Sequence, residues 1–350
     1  MKKVMGLAAA GLLAAGVANA GSLTVANSDI TLYGGVSAGY QYLTTEHSAG
    51  GLSNNDYFSV NNFIVGLKKD ADANSPIGFN AAFGNFAVPT VIASSSTINS
   101  NNLIAYGKTT SFMPWLAYVT IAPIQGLSVD AGLLWNKFGE APITILNSNI
   151  NRGILFTGHP VLFPGARVNY DAGVAKVYVG YNQGGGLLQA GVSDAIEAGV
   201  MSDLGAAKVG LHVYDESQGR NIYVLCAKTD LGVAKVGVEF DYTTLDDAAK
   251  PASGDDSAYG IAVNIDPAIS STLSIPIRIE YVDNKNSGIY LTGADNAMSL
   301  TVTPTYKPTG NTFVRAEIAY TSTDAKVFVD DSGSAKDNRT YLGFEAGFLF

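Results

Sequence analysis

The sequence predicts an all-β protein, a transmembrane antiparallel β-barrel of about 16 strands with a long mid-chain loop folded into the lumen. Three observations indicate this fold class: charged residues keep to one face of each strand, short turns alternate with long polar loops, and the chain ends in an alternating strand. In the last strand, Tyr341 to Phe350, apolar side chains occupy every second position back from Phe350. Side chains alternate between the two faces of a strand, so one row can meet lipid while Glu345 faces a wet interior.

The first 20 residues have the pattern of a secretory signal peptide. Met1-Lys2-Lys3 is a basic start, an apolar run extends from Val4 to Val17, and Ala18-Asn19-Ala20 is a cleavage site of small residues. The apolar run is shorter than the roughly 20 residues that a membrane-spanning helix needs. We therefore expect residues 1–20 to be a signal peptide and residues 21–350 to be an exported barrel in the outer membrane of a Gram-negative bacterium.

Composition excludes several classes of protein. The 350 residues are 47% hydrophobic and 15% charged, and their formal net charge of -9 becomes -11 without Lys2 and Lys3. Nucleic-acid binding depends on a basic footprint, so nucleic acid is excluded as a partner. The single cysteine, Cys226, rules out an internal disulfide and a cysteine-based metal cluster. No apolar run after Val17 is long enough for a spanning helix, so exposure to lipid requires alternating strands in a closed sheet.

Alternation of apolar and polar residues places the strands along the chain. The predicted segments are 29–43, 57–69, 76–87, 110–122, 127–137, 163–171, 174–183, 194–204, 206–215, 220–230, 233–244, 257–266, 272–283, 296–307, 311–322 and 339–350. Segments 194–204 and 220–230 alternate least clearly, and a count from about 14 to about 18 also fits the pattern. An even number of strands returns both chain ends to the same side of the membrane.

The connections between strands fall into two kinds. Three short turns follow an aspartate and repeat nearly the same residues, at 173–177, 205–209 and 232–236. Because Gly and Asp tolerate positive φ, these are predicted to be tight turns on the periplasmic side. The longer connections are rich in Gly, Ser, Asn and Asp and are expected on the extracellular side. They lie at 47–56, 94–102, 246–256, 283–295 and 324–338.

Charged residues keep to one phase of the strands. Arg278 and Glu280 alternate with Ile279, and Arg315 and Glu317 follow the same rule. An arginine facing the middle of a bilayer costs about 2 to 4 kcal/mol, so the charged rows are predicted to face inward. A soluble sandwich with one polar face explains each strand singly, but it does not explain tyrosines that recur near strand ends as at a membrane interface.

The connection at residues 138–160 interrupts the rhythm of hairpins. It mixes asparagines and Arg152 with apolar residues such as Ile150 and Leu155. A barrel of this size is too wide for its inward side chains to fill, and an apolar loop is unfavourable in water. The loop is therefore predicted to fold against the inner wall and narrow the lumen. The alternative is a surface loop or lid that contacts a neighbouring subunit.

Several short motifs resemble the OmpL-like putative β-barrel porin family over roughly residues 58 to 183. They are Val60-Asn61-Asn62, Gly84-Asn85, Ala117-Tyr118, Asp130-Ala131-Gly132, Lys137-Phe138-Gly139, Asn151-Arg152, Leu155-Phe156 and Pro164-Gly165-Ala166-Arg167-Val168-Asn169-Tyr170. The resemblance implies an outer-membrane porin and carries no catalytic residues. A typical member has a glutamate after Phe-Gly, which Glu140 matches, but Ala141-Pro142 shifts its place and no role is transferred to it.

The expected function is a water-filled channel for passive diffusion of small hydrophilic solutes and ions. Selectivity in such a pore depends on the charges at its narrowest part. The candidate pore-lining and constriction residues are Lys137, Glu140, Arg152, Arg167, Lys235, Glu239, Arg278, Glu280, Arg315 and Glu317. Two arrangements stay open: opposed rows of Arg and carboxylate that create a transverse field, or ion pairs along the wall that keep it wet. The preferred ion sign is not predicted.

Two other classes of function are considered. A hydrolase needs a histidine beside a carboxylate or hydroxyl, and the chain has only His47, His159 and His212. His212 with Asp215 is the best pair, but a spacing of three places the two on opposite faces of a strand. No catalytic residue, cofactor or metal site is predicted. A structural or adhesive barrel without a conducting pore is the main alternative; the expected partners are outer-membrane lipid, small solutes and further copies of the chain in a homotrimer.

Overall fold

The computed structural model describes residues 7–9, 21–24, 29–47, 56–72, 75–86, 113–137, 147–183, 194–267, 269–330 and 332–350. Within these residues, sixteen long antiparallel strands form a closed barrel. The first of them, Thr31–Leu43, pairs with the second on one side and with the last, Asn338–Leu349, on the other. This pairing leaves the barrel without an open edge, and the predicted fold class is confirmed.

The strands of the barrel follow one another around the wall in chain order. They are β1 (Thr31–Leu43), β2 (Asp56–Lys69), β3 (Ile77–Phe86), β4 (Met113–Ile124), β5 (Leu127–Trp135), β6 (Leu162–Asp171), β7 (Ala175–Gln183), β8 (Asp194–Asp203), β9 (Lys208–Glu216), β10 (Arg220–Asp230), β11 (Ala234–Leu245), β12 (Ser257–Pro267), β13 (Ile277–Asp283), β14 (Asn296–Val302), β15 (Thr312–Thr323) and β16 (Asn338–Leu349).

Smaller elements complete the described structure. Leu7–Ala9 pairs with Gly21–Thr24, which pairs with the start of β1. Three two-residue strands, Glu46–His47, Phe328–Val329 and Ala335–Lys336, form a separate small sheet. Leu155–Gly158 is a single turn of 3₁₀ helix. Among the described residues, no helix has the length and apolar character needed to cross a membrane.

Each of the sixteen predicted segments overlaps one strand of the barrel, including 194–204 and 220–230, whose alternation is weak. Two predicted segments, 272–283 and 296–307, are each interrupted. Pro276 and Pro304 lie at the two breaks, where proline has no backbone N–H to donate to the sheet. The detached pieces, Leu273–Ser274 and Thr305–Tyr306, still pair with one another, so the wall continues past the breaks.

The three repeated turns have the predicted geometry. Gly173, Gly205 and Gly232 have φ of +84°, +80° and +79°. Each glycine N–H donates to the carboxylate of the aspartate two residues earlier, at 2.9, 3.0 and 2.9 Å respectively. Lys176 and Lys208, which follow two of these turns, are exposed and pair with Asp171 and Asp203 at the rim of the barrel.

The two faces of the wall differ as predicted. On β11, Phe240 is exposed outward, whereas Glu239 and Asp241 on either side of it are buried. On β13, Ile279 is exposed and Arg278 is buried. The apolar row therefore faces the surroundings of the barrel and the charged row faces its interior.

The connection between β13 and β14 differs from the predicted polar extracellular loop. Tyr290 and Leu291 are each only 2% exposed and belong to the same apolar cluster as Ile154 and Leu155. Asn284 holds this connection in place, because its amide donates to the carbonyls of Leu291 and Ala294 at 2.9 and 3.0 Å. The apolar run in the middle of the connection is buried in this way. The predicted polar character of the loop holds only at the two flanks of the connection. The predicted loop at 94–102 lies outside the described residues.

Candidate functional site

Residues 147–160, called the inner segment below, are the described part of the predicted long loop. Two inward-facing glutamates bind its backbone. Glu317 of β15 accepts hydrogen bonds from the N–H groups of Ile150 and Asn151, the second at 2.9 Å. Glu280 of β13 accepts from the N–H groups of Ile154 and Leu155 at 2.8 and 3.3 Å. The inner segment therefore lies against the charged face of the β13–β15 wall.

Two arginines of the same wall bind the carbonyl groups of the inner segment. Arg278 donates to the backbone oxygen of Asn151 at 3.0 Å and also to its side-chain oxygen. Arg315 donates to the backbone oxygen of Asn147 at 2.6 Å. The wall therefore supplies acceptors for the N–H groups and donors for the carbonyl groups of one short stretch of chain. Because these wall groups are charged, their hydrogen bonds are stronger than those between neutral groups.

Gly153 permits the close approach between the inner segment and Glu280. Its φ is +82°, in the left-handed region that L-residues rarely adopt. A Cβ atom at this position would overlap the carboxylate of Glu280. The backbone conformation therefore favours glycine here, and any larger residue would also force Glu280 to move.

The far end of the inner segment is held by two other strands. Arg220 of β10 donates to the backbone oxygen of Gly158 at 2.7 Å. His159 Nε2 lies 2.7 Å from Asp241 Oδ2 on β11, and both side chains are buried. Because β10 to β15 follow one another around the barrel, the inner segment runs along this one region of the interior wall.

Polar residues of β1 and β2 bind the charged wall across the β16–β1 pairing, where the barrel closes. Glu345 of β16 pairs with Arg315, whose Nε donates at 2.6 Å. The same carboxylate accepts from Ser37 and from the amide of Asn62, the latter at 3.3 Å. The pairing of β1 with β2 shifts between Ser37 and Ala38. This irregularity turns both asparagines of the Val60-Asn61-Asn62 motif inward, where they are buried.

A second charged pair lies on β6 and β8. Arg167 forms a bidentate ion pair with Glu197, in which Nε donates to Oε1 at 2.7 Å and Nη2 donates to Oε2 at 3.0 Å. Gly180 on β7 stands between them in the sheet, and a Cβ there would overlap Glu197. Glycine at this position therefore lets side chains from two strands that are not neighbours meet across the strand between them.

The predicted pore-lining residues fall into several groups. Arg152, Arg278, Glu280, Arg315 and Glu317 come together around the inner segment, where Arg152 is buried within electrostatic reach of both neighbouring arginines and of Glu317. Sequence reasoning named Asn151 only within the Asn151-Arg152 motif, without a role, and it did not identify Gly153, whose part depends on its backbone conformation.

The other predicted residues lie elsewhere. Lys137 accompanies Arg167, with its ammonium 5.6 Å from the ring centroid of Tyr178. Glu239 lies beside His159 and Asp241, away from the cluster around Glu317. Lys235 is exposed at the turn end of β11, opposite Asp230 and Asp266 in the strand register. Glu140 falls outside the described residues.

The histidines have structural neighbours in the interior. His212 is buried, with Tyr178 Oη 3.0 Å from Nδ1 and Cys226 Sγ 3.8 Å from Nε2. Asp215 is exposed on the opposite face of the same strand, as its spacing predicts. His212 and Asp215 therefore do not form the pair that a hydrolase would need.

Solved structures with similar folds include outer-membrane proteins. An outer membrane channel, DcaP of Acinetobacter baumannii, matches with a TM-score of 0.63 and 14% identity over 93% of this chain and 99% of that one. An anion-selective porin from Comamonas acidovorans matches with a TM-score of 0.64 and 13% identity over 92% and 99%. OmpT of Vibrio cholerae gives 0.61 and 12% over 93% and 99%. At these identities the likeness shows the fold alone.

Sequence comparison identifies the family. No curated protein sequence matches the chain. The model of the family described as putative beta-barrel porin-2, OmpL-like, matches residues 29–350, well beyond the 58–183 region of the motifs. The chain therefore belongs to the OmpL-like family of β-barrel porins and is a porin-type barrel of the outer membrane.

Proposed function

We propose that this protein is a porin through which small hydrophilic solutes and ions diffuse passively across the outer membrane. The observation that carries the proposal is the attachment of the inner segment to the interior wall by Glu280, Glu317, Arg278 and Arg315. A segment held along one wall narrows a wide barrel and leaves the passage along the opposite wall. Backbone groups that are hydrogen-bonded to charged side chains keep this narrow part in place while solutes pass.

The charges of the interior support the second of the two predicted arrangements. Arg278 pairs with Glu280 at 3.1 Å, Arg315 with Glu345, and Arg167 with Glu197. Each pair lies on one region of the wall, so the two signs are close together and their fields largely cancel at a distance. A wall of this kind stays wet and accepts polar solutes, and its preference between cations and anions is weak.

The descriptions of similar structures agree with a conducting barrel. One similar protein is described as an anion-selective porin, another as an outer membrane channel, and the Vibrio cholerae protein is described in a trimer form. We extend the proposal to a homotrimer in outer-membrane lipid, exported by a signal peptide at residues 1–20. A barrel that serves diffusion has no need of a catalytic site.

Conductance of the refolded protein in a planar bilayer tests this function. We expect large, ohmic steps, and a reversal potential close to zero in a salt gradient. A barrel that seals the bilayer would instead indicate a structural or adhesive role, which the apolar cluster of Ile154, Tyr290 and Phe328 inside the barrel also favours. A sealed bilayer together with cleavage of added lipid or peptide would indicate a hydrolase.

A further inference from the structure

Three potential metal ligands meet inside the barrel. His159 comes from the end of the inner segment, and Glu239 and Asp241 come from β11, where a spacing of two residues places both on the inward face. One ligand atom from each residue lies within 4.8 Å of the others, and all three residues are buried. They are brought together only by the fold, because His159 and Asp241 are 82 residues apart in the chain.

One atom of this cluster points to a missing ligand. Asp241 is fully buried, its Oδ2 contacts His159, and its Oδ1 accepts no hydrogen bond from any residue in the described ranges. A buried acceptor left without a partner costs about 1 to 3 kcal/mol, and more when it is charged. A cation bound at Oδ1 would remove this cost.

We propose that His159, Glu239 and Asp241 bind one divalent transition-metal cation, of which Zn²⁺ is the representative. An imidazole nitrogen with carboxylate oxygens is a common zinc ligand set, and three protein ligands leave a fourth position for water. The two carboxylates supply the two negative charges that such a cation neutralises. Ca²⁺ fits less well, because it prefers six to eight oxygen ligands.

Small rotations adapt the cluster to the metal. Zinc bonds to nitrogen and oxygen are about 2.0 to 2.2 Å long, which separates tetrahedral ligand atoms by more than the 2.7 Å between His159 Nε2 and Asp241 Oδ2. The metal replaces the proton that those two atoms share in its absence, so it enters between groups that already face one another. Arg220, the cation that also contacts the inner segment, is occupied with the carbonyl of Gly158 and with Glu216.

The cation would act as a clamp on the inner segment. One end of the segment is held by Glu317 and Glu280, and the other end by His159. Replacing one hydrogen bond by metal coordination at the second end would tie the segment to β11 more firmly.

This inference is tested by equilibrium dialysis of the refolded full-length mature barrel, in detergent, against Zn²⁺. The amount of bound zinc is measured by elemental mass spectrometry. We expect about one Zn²⁺ per chain, retained in excess Ca²⁺. We expect at least about tenfold weaker zinc binding in each of the variants Asp241→Asn, Glu239→Gln and His159→Gln. Loss of a residue that only hydrogen-bonds to a metal ligand already weakens metal binding by that amount.

His212→Gln is the matched control, because His212 is a buried histidine outside the cluster and lies beside Cys226. It should leave zinc binding unchanged. Heat-dependent migration on a gel shows which variants still fold into a barrel. Because the cluster is tested by three separate single variants, one folded variant is enough for the test. Wild-type protein that binds no zinc, or binding that survives every cluster variant or is lost in His212→Gln, would overturn the site. A zinc-binding barrel that does not conduct would refute the proposed function and keep the site.

Discussion

The carboxylate of Glu317 accepts hydrogen bonds from both the backbone N–H and the side-chain amide of Asn151, at 2.9 and 2.6 Å. The same group also accepts from Ile150 and from the hydroxyl of Thr303. A single glutamate on β15 thus binds four donors, three of them on the inner segment. The charge of Glu317 therefore holds the inner segment in place. In this respect Glu317 differs from a charged residue that faces a passing solute.

Glu317→Ala should release the first half of the inner segment. The substitution leaves buried N–H groups of Ile150 and Asn151 without acceptors, at a cost of about 1 to 3 kcal/mol each. The segment is then expected to move off the wall and the single-channel conductance in a planar bilayer to rise. Glu317→Gln keeps an acceptor oxygen and should give an intermediate value. Equal conductance in all three proteins would mean that this contact does not control the passage.

Gly153→Ala tests the approach of the inner segment to Glu280. We expect a loss of stability larger than the roughly 1 to 2 kcal/mol of the left-handed conformation alone, because the new Cβ overlaps the carboxylate. Gly173→Ala is the matched control, since Gly173 has a similar φ of +84° with open space around it. Thermal unfolding in detergent compares the two variants. Equal shifts in both would show that the overlap at Gly153 is relieved without cost.

The Arg167–Glu197 pair should show strong coupling. Both side chains are almost fully buried, at 2% and 0% exposure. Removing one partner by Arg167→Gln or Glu197→Gln is expected to cost about 3 to 5 kcal/mol, because the other charge stays buried without its partner. The double variant should cost less than the sum. Urea unfolding of barrels refolded in lipid vesicles measures the three free energies, and additive losses would contradict the coupling.

A charge on the outward face should be costly only where that face meets lipid. Ile279 is exposed in the middle of β13, and Ile269 is comparably exposed in the connection before it. Ile279→Arg is expected to lose about 2 to 4 kcal/mol of unfolding free energy in vesicles, and Ile269→Arg close to none. The same urea titrations measure both. A tolerated arginine at residue 279 would argue against the lipid-facing assignment of this row.

Reversing the charge of Arg152 tests whether it borders the passage. Arg152→Glu changes the local charge by two units beside Glu317, so the reversal potential in a salt gradient should shift towards cation preference. Arg167→Glu should act in the same direction if the second pair also borders the passage. Lys250→Glu, in an exposed connection where Lys250 pairs with Asp247 and Asp256, is the control. An unchanged potential removes the tested arginine from the constriction.

The sequence by itself determined the strands, their faces and their short turns. Arg278 and Glu280 face inward because alternation along a strand is a property of neighbouring residues, and Gly173 turns the chain because its own φ and the preceding aspartate suffice. Such features depend on a few consecutive residues, and those residues are visible in the sequence.

Only the tertiary structure decided which of these residues meet. The hydrogen bonds that place the inner segment are formed largely by backbone groups, which every residue type carries, so the sequence has no mark for them. The contact of Arg167 with Glu197 depends on the register of three consecutive strands and on Gly180 between them. The contact of His159 with Asp241 arises because the inner segment lies against β11. Strand register and the path of the inner segment are set by the whole fold, and no local pattern records either.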